Sequence, residues 1–137
     1  MPEHNIVLMV DEDREFASIV EMKLKSKGFD VRLAYEPAAG SRMIEELRPA
    51  LVLLDVNLPG TNGIDFLAEL KKHADMKDIK VAFFSSMVNP WTNFIDLKEA
   101  AKELGAVSFI DKATDLDTLA QEVKEIIENP AIKAEGI

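Results

Sequence analysis

Five short apolar runs alternate with longer amphipathic segments along this chain, and few folds satisfy that order. The runs cover residues 5–10, 30–34, 51–55, 80–84 and 107–110. Between and after them lie stretches of helical length, about 13–27, 37–47, 64–72 and 116–128. In the first of these Phe16, Val20 and Leu24 recur four apart with Ile19 beside them, which gives one apolar face. Leu97, Ala101 and Leu104 give a shorter helical face that Gly105 ends, after an irregular stretch around Pro90. In the last helix Leu116, Leu119, Val123 and Ile126 point inward. Strand followed by helix, repeated, predicts a parallel sheet with helices on its faces and right-handed crossovers. The third run is nearly all apolar, the mark of a central strand buried on both sides.

The punctuation agrees with this reading. Gly28 follows the first helix, Pro37 opens the second and Pro49 blocks its continuation. Pro59, Gly60, Asn62 and Gly63 form a loop of turn residues. The folded domain is expected over residues 1–128, with 129–137 as a loose tail after Asn129-Pro130. No output domain is expected after the last helix, so any effect passes through a separate protein unless this chain is part of a longer regulator.

The net charge of −9 argues against a nucleic-acid surface or an anionic membrane, both of which need clustered Lys and Arg. There is no cysteine, which removes disulfide and thiolate chemistry and fits a reducing compartment. No apolar run reaches membrane-spanning length, and the N-terminus lacks a basic region, so a cytoplasmic protein is expected.

Open parallel sheets bind ligands beyond the carboxyl ends of their strands. Those positions hold Asp11 and Glu12, Asp55, Ser85 and Lys112. Three carboxylates together repel one another. Mg²⁺ resolves this, because it prefers hard oxygen ligands and keeps several waters. With three acids, one lysine and Mg²⁺ the site is near neutral. A carboxylate can accept a phosphoryl group, and such a transfer needs positioning and charge neutralisation above all. Asp13 reads as a helix cap, and His4 and His73 read as surface residues.

Val-Asp-Glu-Asp at 10–13, Leu-Leu-Asp-Val-Asn-Leu-Pro-Gly-Thr-Asn-Gly at 53–63, Phe-Phe-Ser-Ser at 83–86 and Gly-Ala-Val-Ser-Phe-Ile-Asp-Lys at 105–112 together resemble a response-regulator receiver domain. The resemblance covers about residues 5–128. It implies a doubly wound, flavodoxin-like (βα)5 fold with a five-stranded parallel sheet in the order 2-1-3-4-5. It implies a phosphoacceptor signalling domain rather than a metabolic enzyme. Asp55 then takes a phosphoryl group from a sensor histidine kinase or a phosphotransfer protein. Asp11, Glu12, Asp55 and the backbone carbonyl of Asn57 hold Mg²⁺. Ser85 and Lys112 bind the phosphoryl group, and Phe109 occupies the aromatic switch position. A downstream protein is met through the face of the Leu97–Leu104 helix, the fifth strand and the last helix, by a monomer or weak homodimer. Asn57 and Met87 flank the path by which water reaches the phosphoryl group. Met87 is apolar and flexible, which predicts a shielded, longer-lived product.

Two departures from the family pattern stand out. Proline commonly follows the lysine, where this chain has Ala113, and a cis peptide costs more before alanine than before proline. The stretch 86–104 is longer than usual and contains Asn89-Pro90-Trp91. Other functions fit less well. A nucleotide or flavin binder needs a Gly/Ser/Thr-rich loop where Asp11-Glu12-Asp13 stands. An aspartyl phosphatase needs a second acid at Asn57. The remaining alternative is a pseudo-receiver, a binding scaffold of the same fold without a phosphorylation cycle.

Overall fold

A computed structural model describes residues 5–86, 99, 102–129 and 132. Met87, Asn89, Pro90, Trp91, Leu97 and Ala101 lie outside the described residues, as does nearly all of the 129–137 tail. Five parallel strands form one sheet: β1 Ile6–Val10, β2 Asp30–Ala34, β3 Leu51–Leu54, β4 Lys80–Ser85 and β5 Ser108–Asp111. Their order is β2-β1-β3-β4-β5. The expected doubly wound arrangement is therefore the one observed. Four helices are described: α1 Arg14–Ser26, α2 Pro37–Leu47, α3 Gly63–Lys71 and α4 Leu116–Glu128.

Each helix is delimited by local chemistry. The Phe16 amide donates to the Asp13 carboxylate at 3.1 Å, so Asp13 caps α1. Gly28 closes α1 at φ +96°, with the amides of Lys27 and Phe29 both donating to the Leu24 carbonyl. Pro37 opens α2. Asn62 and Asp115 cap α3 and α4 by accepting from the amides of Asp65 and Thr118. The turn-rich loop after β3 holds more order than its composition predicts. Asn57–Leu58 and Thr61–Asn62 pair as a two-residue antiparallel hairpin, and a 3-10 turn, Ala74–Met76, follows α3.

Strand alternation divides the interior into two cores. Val7, Met9, Leu51, Leu53, Ala82 and Phe84 face α1 and α4. Leu8, Val10, Val52, Leu54, Val81 and Phe83 face α2 and α3. At Gly40, α2 approaches the sheet so closely that a Cβ would lie 3.2 Å from both Val10 methyl groups.

Gly63 is packed more tightly still. A Cβ there would meet the carbonyl oxygen of Asp55, the Phe83 ring at 2.8 Å and Val56 Cα at 2.9 Å. Its amide donates to the Val56 carbonyl at 2.6 Å, drawing the start of α3 against the end of β3. Gly60, at φ +74°, has open space around its Cα. Gly63→Ala is therefore expected to cost about 3 kcal/mol through overpacking against backbone. Gly60→Ala is expected to cost only about 1 kcal/mol, from its left-handed conformation. Urea midpoints of the two variants check the order, and a larger loss at Gly60 would contradict the packing argument.

Candidate functional site

The sheet ladder continues one residue past the ends of its strands. The Asp11 amide donates to the Ala34 carbonyl at 2.9 Å, the Asp55 amide to the Val10 carbonyl at 3.0 Å, and the Lys112 amide to the Ser85 carbonyl at 3.1 Å. These bonds fix four polar residues at the carboxyl edge of neighbouring strands, where the strand order reverses. Asp11, Asp55 and Ser85 are all buried.

Lys112 joins them. Its Nζ donates to Asp55 Oδ2 at 2.9 Å and lies 2.6 Å from Asp11 Oδ2. The other Asp55 oxygen, Oδ1, accepts from the Asn57 amide at 3.1 Å and the Ser85 hydroxyl at 3.3 Å. Asp11 Oδ1 accepts from the Asp13 amide at 2.9 Å. Asp11 Oδ2 is buried and meets no donor with hydrogen-bond geometry, so its contact with Lys112 is ionic. The Phe16 ring lies 5.0 Å from the ammonium and packs on Phe84. The Lys112–Ala113 peptide is trans.

Burial pushes the Asp11 carboxyl above the ordinary carboxylate range, and the Asp55 charge adds to it. The Lys112 ammonium and the Asp13 amide oppose this without cancelling it. Burial alone lowers the Lys112 pKa, but its contacts with the Asp11 and Asp55 carboxylates outweigh burial and hold it above the usual lysine value. Two carboxylates and one ammonium leave one net negative charge in this cluster.

The structure thus brings together Asp11, Asp55, Ser85 and Lys112, with the Asn57 backbone beside them. Glu12 is not drawn in. Its side chain is exposed and lines a neighbouring hollow with Arg14, Tyr35 and Pro59. Among the described residues no three His, Cys, Asp or Glu side chains are gathered as a metal cage. Phe109 is half-buried, its ring 5.8 Å from that of Phe83. Two contributors escape a reading of the sequence. Phe16 reads there as one apolar position of α1, yet its ring also underlies Lys112. Gly63 reads as a turn former, yet its missing Cβ lets α3 approach Asp55.

The two shifts have opposite consequences with pH. For Asp11, a raised folded pKa means that ionisation is less favourable in the folded state. Stability is highest below the unfolded value of about 3.9 and falls as pH rises through the folded value. For Lys112, stability is full below its unfolded value of about 10.4 and falls as pH rises through the raised folded one. Asp11→Asn is expected to stabilise the metal-free protein at pH 7 and to flatten the acid limb. Lys112→Met is expected to destabilise it at pH 7, with the deficit shrinking in strong alkali. Melting curves in chelator between pH 4 and 11 check both signs, and an Asp11→Asn protein less stable at pH 7 than the parent would refute the first.

Comparison with known proteins agrees with this fold. The family model described as the response regulator receiver domain matches residues 7–124. A CheY-like receiver domain protein from Methanospirillum hungatei JF-1 superposes with a TM-score of 0.79 at 21% identity, over 92% of this chain and 95% of that one. The Vibrio cholerae chemotaxis protein CheY4 superposes with a TM-score of 0.78 at 20% identity, over 90% and 98%. The Mn²⁺-bound form of the response regulator Rcp1 does so with a TM-score of 0.69 at 26% identity, over 93% and 94%. The family match extends from β1 into α4 and takes in every residue gathered around Asp55. This chain belongs to the response regulator receiver domain family, the CheY-like phosphoacceptor domains of two-component signalling.

Proposed function

We propose that Asp55 accepts a phosphoryl group from a histidine kinase or phosphotransfer protein, and that the product changes which proteins this domain contacts. One observation carries the reading. The buried Asp55 carboxylate is held on one side by the Lys112 ammonium at 2.9 Å and on the other by the Ser85 hydroxyl at 3.3 Å. Both groups can follow the charge when the carboxylate becomes an acyl phosphate.

An Asp55 oxygen forms the new O–P bond as the P–N bond of the donor phosphohistidine breaks. The leaving imidazole nitrogen keeps the electron pair and takes up a proton. The Asn57 amide and Ser85 hydroxyl fix the rotation of the carboxylate beforehand. Lys112 passes from pairing two carboxylates to pairing the phosphoryl oxygens. The side chain of Asn57 is exposed, two residues beyond Asp55, where it can orient an attacking water.

The oxygen set suits a hard divalent cation. Asp11 Oδ2 is buried without a directed hydrogen bond, and Asp55 adds a second carboxylate. Asp11, Asp55 and the Asn57 carbonyl would hold Mg²⁺, with Glu12 turning inward from its exposed position. When bound, the ion supplies positive charge to the phosphoryl oxygens. The Mn²⁺-bound Rcp1 neighbour supports this class of ligand. Signalling is assigned to the face that includes β5 and α4, and Phe109 of β5 packs on Phe83 on the side of the sheet that α2 and α3 cover. Phe83 also borders the Gly63 slot beside Asp55, which gives a packed route from the acceptor to that face.

Acetyl phosphate with Mg²⁺ is expected to add one phosphoryl group, labile to hydroxylamine and read by intact mass. Asp55→Asn is expected to abolish it, and Ser85→Ala to slow it. Labelling on serine, or none on the parent protein, would sink the acceptor role and leave a binding scaffold. Millimolar Mg²⁺ is also expected to raise the melting temperature, because a ligand bound only by the folded state stabilises it. Asp11→Ala is expected to remove most of that shift.

A further inference from the structure

Among the described residues the two faces of the sheet are covered unequally. On one, α1 and α4 touch each other, and Lys23 forms an ion pair with Asp117 across the seam. On the other, α2 and α3 leave an open groove of about 490 Å³. The cause lies in the side chains. The row that α2 turns toward the groove is Pro37, Ser41 and Glu45, spaced four apart. Its first two members are too short to reach across. The floor is apolar, formed by Phe66, Leu70 and Met76. The rim is anionic, with exposed Glu45 on one bank and exposed Asp65 and Glu69 on the other. The lower end is braced. Arg48, held at φ 49°, donates to the Asp75 carbonyl at 2.6 Å and to its carboxylate at 2.8 Å, tying the end of α2 to the 3-10 turn.

We infer that this groove is a docking surface for a basic, amphipathic helical segment of a partner protein. The occupant must offer apolar side chains to the floor and cations to both banks, and a helix with a leucine stripe flanked by lysines does both. A nucleic acid or an anionic lipid surface meets repulsion from the rim. A second copy of this chain carries a net charge of −9 and brings the wrong sign. Little rearrangement is needed, because the Arg48–Asp75 clamp fixes the spacing before the partner arrives. The inference goes beyond the phosphoacceptor reading and uses none of the residues gathered around Asp55.

The test titrates the whole chain with a labelled helical peptide of leucine and lysine in amphipathic order, and with its leucine–glutamate counterpart. Amide chemical shifts are followed in the isotope-labelled protein. The basic peptide is expected to bind, more weakly as salt rises, with shifts gathered around Ser41, Glu45, Asp65 and Glu69. The acidic peptide is expected not to bind. The pair Glu45→Lys and Glu69→Lys is expected to weaken binding by about tenfold or more. Glu125→Lys with Glu128→Lys, on the other face of the sheet, is expected to change it less than about twofold. Equal weakening by both pairs, or shifts centred on α4 and β5, would overturn the assignment. Self-association that the groove variants abolish would also overturn it, by making a second copy the occupant. Labelling of the groove variants by acetyl phosphate should match the parent. Peptide binding without labelling of the parent would refute the acceptor role alone, and labelling without peptide binding would refute the groove alone.

Discussion

Two carboxylates can stay buried at the edge of this sheet because one ammonium reaches both. Asp11 and Asp55 sit on adjacent strands and would repel each other strongly in a site of low polarity. Lys112 comes from two strands further across the sheet and contacts each of them. The Phe16 ring lies 5.0 Å from that ammonium, so one side of the charge faces an apolar group rather than water. The balance is incomplete, since Asp11 still ionises against its surroundings. A residual cost at that position is what a cation or a phosphoryl group can relieve.

Much of this was legible in the residues. The bounds of β2, α2 and α4 follow from apolar periodicity and from Pro37, Pro49 and Asn129-Pro130. The cap at Asp13 and the closure at Gly28 depend on neighbours in the chain, which a sequence displays directly. The convergence of Asp11, Asp55, Ser85 and Lys112 follows from parallel topology alone, because every strand then ends at the same edge. What escaped depends on distance across the fold. The orientation of Glu12, in the hollow it shares with Arg14 and Tyr35, is decided by surroundings that no spacing encodes. The hairpin at 57–62 escaped because two-residue strands carry no periodic signal.

The two helical layers play different parts. The layer of α1 and α4 is closed and cross-braced, and α1 contributes Phe16 to the site. The layer of α2 and α3 is anchored to the sheet at Gly40 and Gly63, where absent side chains permit close approach. Glycine thus secures rigidity here through packing, whereas at Gly28 and Gly60 it serves backbone conformation.

The odd–even division of the strands between two cores also limits how such a chain can change length. One residue inserted within β1 or β3 would send every later side chain of that strand to the opposite core and turn Asp11 or Asp55 away from Lys112. The connections at the amino edge of the sheet carry no such penalty for the Asp55 site, since the turn at 48–50 and the segment at 72–79 lie at the far end from it, where Arg48, Asp75 and Met76 shape the groove instead. Insertions and deletions among descendants of this sequence should therefore accumulate at one rim of the sheet and be excluded from its strands. The edge that carries Asp55 is held constant, while the opposite edge is constrained only where the Arg48–Asp75 clamp ties it.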